Sequence, residues 1–258
     1  MKYSYEQIAG MIDHSLLHPT MTDRDLEEGC HLAAKYKVAS VCIKPYFVKR
    51  AAEILAGSGV KVGAVIGFPH GNSATEVKAF ETDVACRDGA AEIDMVINIG
   101  KALGGDFAFV EQDVRAVCET AHRHGAIVKV IFENDFMPDD AIKIKLCHLC
   151  ERAGADFVKT SSGYGFVKGA DGKYSYKGAT EADLKLMRAN VSEKVQVKAA
   201  GGVRDLDALM QVRDLGAARC GATATAQMLD EYRKREAAEK SGAATASKSP
   251  ASLGTGGY

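Results

Sequence analysis

Short apolar segments alternate with amphipathic ones along most of this chain. Eight apolar segments, each of five to eight residues, are rich in β-branched side chains and are typical of buried strands. The segments between them carry apolar residues at helical spacing, and several begin at a threonine or end at a glycine, as helices do. The predicted strands are residues 11–17, 38–44, 61–68, 92–98, 127–133, 157–161, 196–202 and 219–223. The clearest predicted helices are 22–37, 74–90, 106–125 and 179–194.

This alternation of strands and helices predicts the fold class. Strands that are separated by helices pair in parallel through right-handed crossovers. Eight such units suit a single closed (β/α)8 barrel of the TIM type. The alternative, an open doubly wound sheet, requires a glycine-rich turn after the first strand, and the sequence DHSLLHPTMT has no glycine there. We therefore predict an α/β barrel domain at residues 1–236, opened by a short N-terminal helix.

Two segments depart from the alternation. Residues 163–180 form a long connection for a barrel, and Asp171-Gly172 within it predicts a tight hairpin turn between the segments FVK and YSY. Residues 237–258 are rich in alanine, serine and glycine, and we expect a flexible, largely disordered tail that ends in Tyr258.

Composition and charge exclude several classes of function. The 258 residues carry a net charge of −1 with scattered lysines and arginines, so no basic surface predicts nucleic-acid binding. No apolar run approaches the roughly 18 residues of a membrane span, and the N-terminus lacks the apolar core of a signal peptide. Seven cysteines, most of them within predicted helices or strands, fit reduced thiols in the cytoplasm. The single CxxC, Cys147 to Cys150, lies within a helical pattern and is interpreted as buried packing.

Ionisable side chains lie inside strands that should be dry. An isolated buried charge costs several kcal/mol, so these side chains are expected to compensate one another in the barrel interior. The alternative, that they face the surrounding helices, places them in a layer that is also dry. Six residues in four predicted strands have this character: Glu92, Asp94, Lys129, Glu133, Lys159 and Lys198.

The position of each charge along its strand separates candidates for chemistry from candidates for packing. Lys159, Lys198 and Asp94 lie in the middle or the C-terminal part of their strands, and barrel active sites form at that end. Glu92 and Lys129 lie early in theirs, where a structural ion pair is an alternative. A second ammonium and burial both lower the pKa of a lysine, and a neutral amine attacks carbonyl carbons to form a Schiff base. The residues therefore predict carbon–carbon bond chemistry without a metal, and no HExxH motif is present.

Glycines after the last two strands indicate a phosphate site. Gly201 and Gly202 follow the seventh barrel strand, and Gly221 and Thr223 lie where the eighth strand meets the last helix. Loops after strands seven and eight, together with a helix N-terminus, are the usual phosphate site of such barrels.

At these residues the sequence resembles the deoxyribose-phosphate aldolase family. The resemblance runs over about residues 10–230 through IDHSLL, SVCIKPYFV, GFPHGN, EIDMVINIG, KVIFE, GADFVKTSSG, VKAAGGVRD and RCGAT, in that order. It implies reversible cleavage of 2-deoxy-D-ribose 5-phosphate to acetaldehyde and D-glyceraldehyde 3-phosphate, in the breakdown of deoxynucleosides, with no cofactor. Possible alternatives are another sugar or keto phosphate as substrate, or a phosphosugar-binding protein without turnover.

The resemblance also implies roles for individual residues. Lys159 forms the Schiff base, while Lys198 and Asp94 assist it in proton transfer. Asp13, Ser15, Cys42 and Ser162 line the substrate pocket, and the phosphate is held by Gly163, Gly201, Gly202, Gly221 and Thr223. Tyr258 is a candidate aid to proton transfer from the tail, and a homodimer is expected by analogy.

The sequence departs from the family pattern in three places that bear on the substrate. Thr223 is followed by Ala224 where a second hydroxyl residue is common, and the usual KTSTG is KTSSG. The connection at 166–177 is longer than the common form, so the preference for the acceptor aldehyde is the property that we expect to differ.

Overall fold

Eight parallel strands close into a barrel. The computed structural model describes residues 1–241 and Leu253, and within them the strands follow one another around the barrel in chain order. The barrel strands are β1 (Ile12–Leu16), β2 (Ser40–Ile43), β3 (Lys61–Ile66), β4 (Glu92–Val96), β5 (Ile127–Ile131), β6 (Phe157–Lys159), β9 (Gln196–Ala200) and β10 (Ala217–Ala222). β10 pairs with β1 and closes the ring, which confirms the predicted TIM barrel and excludes the open sheet.

Helices surround the barrel and connect its strands. They are α1 (Tyr5–Ala9), α2 (Asp23–Tyr36), α3 (Val48–Leu55), α4 (Thr75–Arg87), α5 (Ile99–Leu103), α6 (Phe107–Arg123), α7 (Asp140–Ala153), α8 (Glu181–Ala189), α9 (Leu206–Asp214) and α10 (Thr225–Lys240). Short 3-10 turns lie at Pro45–Phe47 and Asn134–Phe136. Ser4 and Thr22 cap α1 and α2 through capping boxes, which explains why the short N-terminal helix forms where predicted.

Alternate residues of each strand serve two different layers. One set, which includes Val41, Ile93, Val128 and Val158, joins the helices in a continuous apolar core. The other set points into the barrel and includes the charged residues found in the sequence. Charges could therefore be gathered inside without interrupting the core that holds the helices in place.

The long connection after β6 folds into the predicted hairpin. β7 (Val167–Lys168) and β8 (Tyr174–Ser175) pair antiparallel, and Gly172 at the turn adopts a left-handed conformation with φ of +78°. The hairpin lies against the end of β9, because a Cβ placed on Gly201 would be 2.0 Å from Oη of Tyr176. Residue 201 must therefore be glycine for this packing.

The C-terminal part of the chain is described only in part. α10 continues to Lys240, four residues past the predicted domain boundary at residue 236, and Tyr258 lies outside the described residues. The division into a barrel domain and a flexible tail therefore stays a prediction. None of the helices in the described part of the chain is long and apolar enough to cross a membrane.

Candidate active site

A network of ion pairs crosses the barrel interior. Asp94 on β4 accepts hydrogen bonds from Nζ of Lys129 (2.9 Å), Lys159 (2.6 Å) and Lys198 (2.7 Å). Lys198 also pairs with Asp13 on β1 at 2.5 Å. β4 and β9 are not neighbours in the barrel, so their side chains meet only across its interior. The predicted compensated cluster is confirmed for five of the six residues, with Asp94 at its centre, and Glu133 lies outside it.

The three lysines differ in how many carboxylates they contact. Among the described residues, Lys129 pairs with three carboxylates, Asp13, Glu92 and Asp94. Lys198 pairs with Asp13 and Asp94, whereas Lys159 pairs with Asp94 alone. The amine with the least compensation loses its proton most readily, which is Lys159.

The pKa shifts follow this ranking. Burial lowers the pKa of Lys159; the charge of Asp94 opposes the shift and that of Lys198 adds to it, and the net direction is downward. Burial acts in the same way on Lys198, but Asp13 and Asp94 together raise its pKa well above the ordinary value. Lys198 therefore remains an ammonium beside a Lys159 amine that deprotonates more easily. Burial contributes more to the shift of Lys159 than the second ammonium does, and the predicted crowding by Lys198 is the smaller effect.

The three neighbouring lysines keep Asp94 in its ionised form. Burial disfavours its ionisation, but Lys129, Lys159 and Lys198 outweigh that effect and keep the pKa of this carboxyl well below its usual range. Asp94 is thus an anion that touches the amine of Lys159, which suits it to orient that amine and to move protons through hydrogen bonds.

Arg219 completes the base of the cluster and was not recognised in the sequence. Its guanidinium bonds Asp13 and, at 2.9 Å, Glu92. The predicted strand began at residue 219, so the arginine looked like the start of a strand. β10 begins at Ala217 instead, which places Arg219 in the middle of the strand and on the inward face with Gly221.

The cluster counts four cations against three carboxylates. If Lys159 is neutral, three positive charges face three negative charges in the buried interior. Charge balance in the dry interior thus favours the free amine. The cations are Lys129, Lys159, Lys198 and Arg219, and the anions are Asp13, Glu92 and Asp94.

Of the four expected substrate-pocket residues, two lie side by side on neighbouring strands, and the other two are already bonded to charged side chains. Ser15 and Cys42 pair in register on β1 and β2, and Cys42 Sγ lies 3.8 Å from Asp94 Oδ2. Burial raises the pKa of the Cys42 thiol to about 11, so it is a neutral neighbour of the cluster. Asp13 is fully buried among its three cations, and the Ser162 hydroxyl donates to Glu133.

An apolar cavity opens at the C-terminal ends of β1 and β3. It has a volume of about 400 Å³, and Leu17, Val65 and Phe68 contribute to its wall. The rings of Phe68 and Tyr164 meet edge to face with centroids 5.6 Å apart. Leu17 and Val65 of this wall pack in one apolar cluster with Cys42, which connects the wall to the charged cluster around Asp94.

The residues expected to bind phosphate follow the C-terminal ends of barrel strands, except for Gly221, which lies within β10. Gly163, Gly201 and Gly202 are left-handed, with φ of +98°, +86° and +80°, so their backbone N–H groups can turn towards a ligand. Thr223 is exposed just before α10 begins. Gly221 instead lies inside the barrel, where a Cβ would be 3.6 Å from Cε of Lys198.

Two further buried residues near Lys159 were not assigned a role from the sequence. The Ser161 hydroxyl, two residues after Lys159 on the inward face, has no hydrogen-bond partner among the described residues. Glu133 was expected inside the barrel. Its carboxylate lies instead at the loop after β6, where it binds the Ser162 N–H. The part of the chain that the structure describes contains no group of three or more His, Cys, Asp or Glu residues that could hold a metal ion.

The fold and the site together define the class of this protein, a barrel enzyme whose chemistry uses a lysine amine. The family model described as "DeoC/LacD family aldolase" matches residues 8–244. The chain belongs to this family and is an aldolase.

Individual relatives are similar over nearly the whole chain. A deoxyribose-phosphate aldolase of Rhodopirellula baltica is 50% identical over 233 residues, which are 90% of this chain and 92% of the relative. One of Aciduliprofundum boonei is 43% identical and covers 87% of this chain and 96% of the relative. The tetrameric structure of deoxyribose phosphate aldolase from Aeropyrum pernix is 29% identical, with a TM-score of 0.78, over 90% of this chain and 93% of that one.

Proposed function

We propose that the protein reversibly cleaves 2-deoxy-D-ribose 5-phosphate to acetaldehyde and D-glyceraldehyde 3-phosphate through a Schiff base on Lys159. The observation that carries the proposal is the contact pattern of the lysines. Among the three lysines of the cluster, Lys159 alone combines burial, a lowered pKa and a single carboxylate partner. The named relatives act on this substrate class by their titles, and the left-handed glycines offer N–H groups for its phosphate.

The proposed reaction uses groups that are already in contact. The neutral amine of Lys159 adds to C1 of the open-chain sugar, and loss of water gives the Schiff base. A base removes the proton from the C3 hydroxyl, the C2–C3 bond breaks, and its electron pair forms the enamine as glyceraldehyde 3-phosphate leaves. Protonation at C2 and hydrolysis then release acetaldehyde. Asp94 and Lys198 lie within 2.7 Å of each other and move these protons, through water where the distance requires it.

A substrate comparison tests this function against the alternative. The purified protein should release acetaldehyde and glyceraldehyde 3-phosphate from 2-deoxyribose 5-phosphate, and should cleave ribose 5-phosphate and ketose phosphates much more slowly. Faster cleavage of one of the latter would assign the alternative, a lysine aldolase for another sugar or keto phosphate. The hairpin over Gly201 is the feature that favours the alternative, because it narrows the proposed phosphate end.

Lys198 is expected to determine the pH at which the enzyme becomes active. Replacing it with leucine removes a positive charge beside Lys159, so the pKa of Lys159 rises and less free amine is present at neutral pH. We expect the acidic limb of the pH profile of kcat/KM to move up by about one unit, with roughly tenfold lower activity at pH 7. Lys198→Arg keeps the charge and should leave the limb in place. If the acidic limb of Lys198→Leu lies at the same pH as that of wild type, this role is contradicted.

We also propose that the protein assembles as a homodimer through α4. The inward side of this helix carries Lys78, Thr82 and Ala85, while Val77 and Phe80 are 55% and 67% exposed on the other side. Exposed apolar residues at this spacing on one helix face indicate a contact with a second copy. The Aeropyrum pernix relative, described as tetrameric, supports self-assembly in this fold.

Light scattering on the intact protein tests the α4 interface. Wild type should have the mass of a dimer, and Phe80→Lys should shift towards the monomer because it buries an ammonium in an apolar contact. Tyr174→Lys, at a residue that is also 67% exposed, should not. A monomeric wild type, or a dimeric Phe80→Lys, overturns the proposed interface.

The seven unpaired cysteines accord with a cytoplasmic location, which we propose on that basis.

A further inference from the structure

Glu133 is a buried acidic residue in an unusual backbone conformation. It follows β5 with φ of +59° and ψ of +63°, and is one of two non-glycine residues with positive φ in the described part of the chain. Its side chain is almost fully buried. A left-handed backbone is costly for a residue of this size, and it persists only where the surroundings hold it. The contacts of the carboxylate show what it holds.

The carboxylate of Glu133 binds the loop that leads away from Lys159. The Ser162 N–H donates to both of its oxygens, at 3.1 and 3.3 Å, and the Ser162 hydroxyl donates to Oε2. That hydroxyl in turn accepts from the Tyr164 N–H at 2.9 Å. One side chain thus satisfies the backbone on either side of Gly163.

The packing around this carboxylate is tight on the loop side as well. A Cβ placed on Gly165 would lie 2.6 Å from Oε1 of Glu133, so the loop can approach it only with glycine at that position. The backbone just after β5 is also bonded to the segment at Lys159. The Phe132 N–H donates to the Lys159 carbonyl, and the Asn134 N–H donates to the Thr160 carbonyl. The carboxylate therefore lies against a loop whose start is already tied to β5.

Burial raises the pKa of Glu133 to about 7, against the opposing effect of the Ser162 hydrogen bonds. The side chain remains buried although it does not pair with the cluster around Asp94. Its hydrogen bonds are therefore the reason for its position.

We propose that Glu133 is a positioning residue that holds Gly163 in the conformation that binds the phosphate of the substrate. The inference rests on the proposed function, in which the Gly163 N–H contacts that phosphate. Without the carboxylate, the Ser162 N–H is left buried and unpaired, and the loop must move to satisfy it. The conformation that binds phosphate then becomes a minor one, and the affinity falls accordingly.

Steady-state kinetics with two substrates test the proposal. Glu133→Ala should raise KM for 2-deoxyribose 5-phosphate by about tenfold, which corresponds to about 1.4 kcal/mol, with little change in kcat. The kinetic constants for unphosphorylated 2-deoxyribose should change by less than about twofold. A merely structural role lowers the active fraction, and therefore kcat, for both substrates equally.

Two further variants keep the test independent of folding. Glu133→Gln keeps an acceptor for the Ser162 N–H, so KM should return to within about threefold of wild type. Gly165→Ala disturbs the same contact from the loop side while Glu133 is intact, and should reproduce the KM increase.

The proposal is overturned if KM for the phosphorylated substrate is unchanged in Glu133→Ala, or if both substrates are affected alike. A failure of the proposed function would appear separately, as wild-type protein that does not cleave 2-deoxyribose 5-phosphate at all.

Discussion

Replacement of Lys159 by leucine is expected to reduce turnover of 2-deoxyribose 5-phosphate by at least about 10⁴-fold. The covalent step needs this amine, and the other two lysines of the cluster are held as ammonium ions by two and three carboxylates. The fold should not suffer, because leucine suits the dry interior and the remaining charges balance at three against three. Thermal unfolding should therefore show a midpoint equal to or above that of wild type.

Chemical trapping connects this loss to one residue. Borohydride reduction in the presence of acetaldehyde should attach a two-carbon group to the Lys159 peptide, and mass analysis should find it there. Lys159→Leu should take up no label. Lys185→Leu, at an exposed lysine on α8, should be labelled and active like wild type. Label on Lys198 or Lys129, or activity that survives in Lys159→Leu, would exclude the assigned nucleophile.

Replacement of Asp94 by asparagine should separate bond formation at Lys159 from proton transfer. We expect kcat to fall by about 10²–10⁴-fold, because the anion in contact with Lys159 and Lys198 is lost. Borohydride trapping should persist, since the removed carboxylate is the group that favours the charged form of Lys159. Loss of both trapping and turnover would contradict this separation.

The same substitution is expected to cost about 3–5 kcal/mol of stability at neutral pH, because buried ammonium groups lose their shared partner. The folded pKa of Asp94 lies below its ordinary value near 4, so its stabilisation is present above that value and is lost as pH falls towards the folded pKa. The difference between variant and wild type in urea unfolding should therefore narrow in acid.

Asp113→Asn is the matched control for this stability loss. Asp113 forms a fully buried ion pair with Lys78 at 2.5 Å, away from the cluster around Asp94. The control should lose a similar amount of stability and keep its kcat. A control that loses turnover to the same extent would mean that instability, and not chemistry, explains the Asp94 variant.

Local patterns were enough to predict the barrel and most of the charged cluster inside it. Strand periodicity and helix caps depend on neighbours within a few residues, so the eight barrel strands lie where the sequence placed them. The predicted helices also form, although α8 ends at Ala189, five residues before its predicted end at 194. Charges at Asp94, Lys159 and Lys198 stood out because each lies in a segment that is otherwise apolar. Gly172 was readable in the same way, since its turn is a local structure.

Contacts between distant segments could not be predicted in this way. Arg219 joins Asp13 and Glu92 only after the barrel closes, and a strand predicted to begin at residue 219 places the arginine at its edge instead of among the interior charges. Glu133 was recognised as a buried charge, yet its partner Ser162 lies 29 residues away on another strand's loop. The spacing of apolar and polar residues within either segment does not predict such a contact.

The sequence by itself determined that three lysines and their carboxylates would share a dry barrel, because an uncompensated charge in any of those strands is too costly to bury. The family resemblance implied that Lys159 is the nucleophile, and the tertiary structure supplies the physical reason for proposing it over the other two lysines. The pKa of each amine depends on how many carboxylates surround it in space, and that number is one for Lys159, two for Lys198 and three for Lys129.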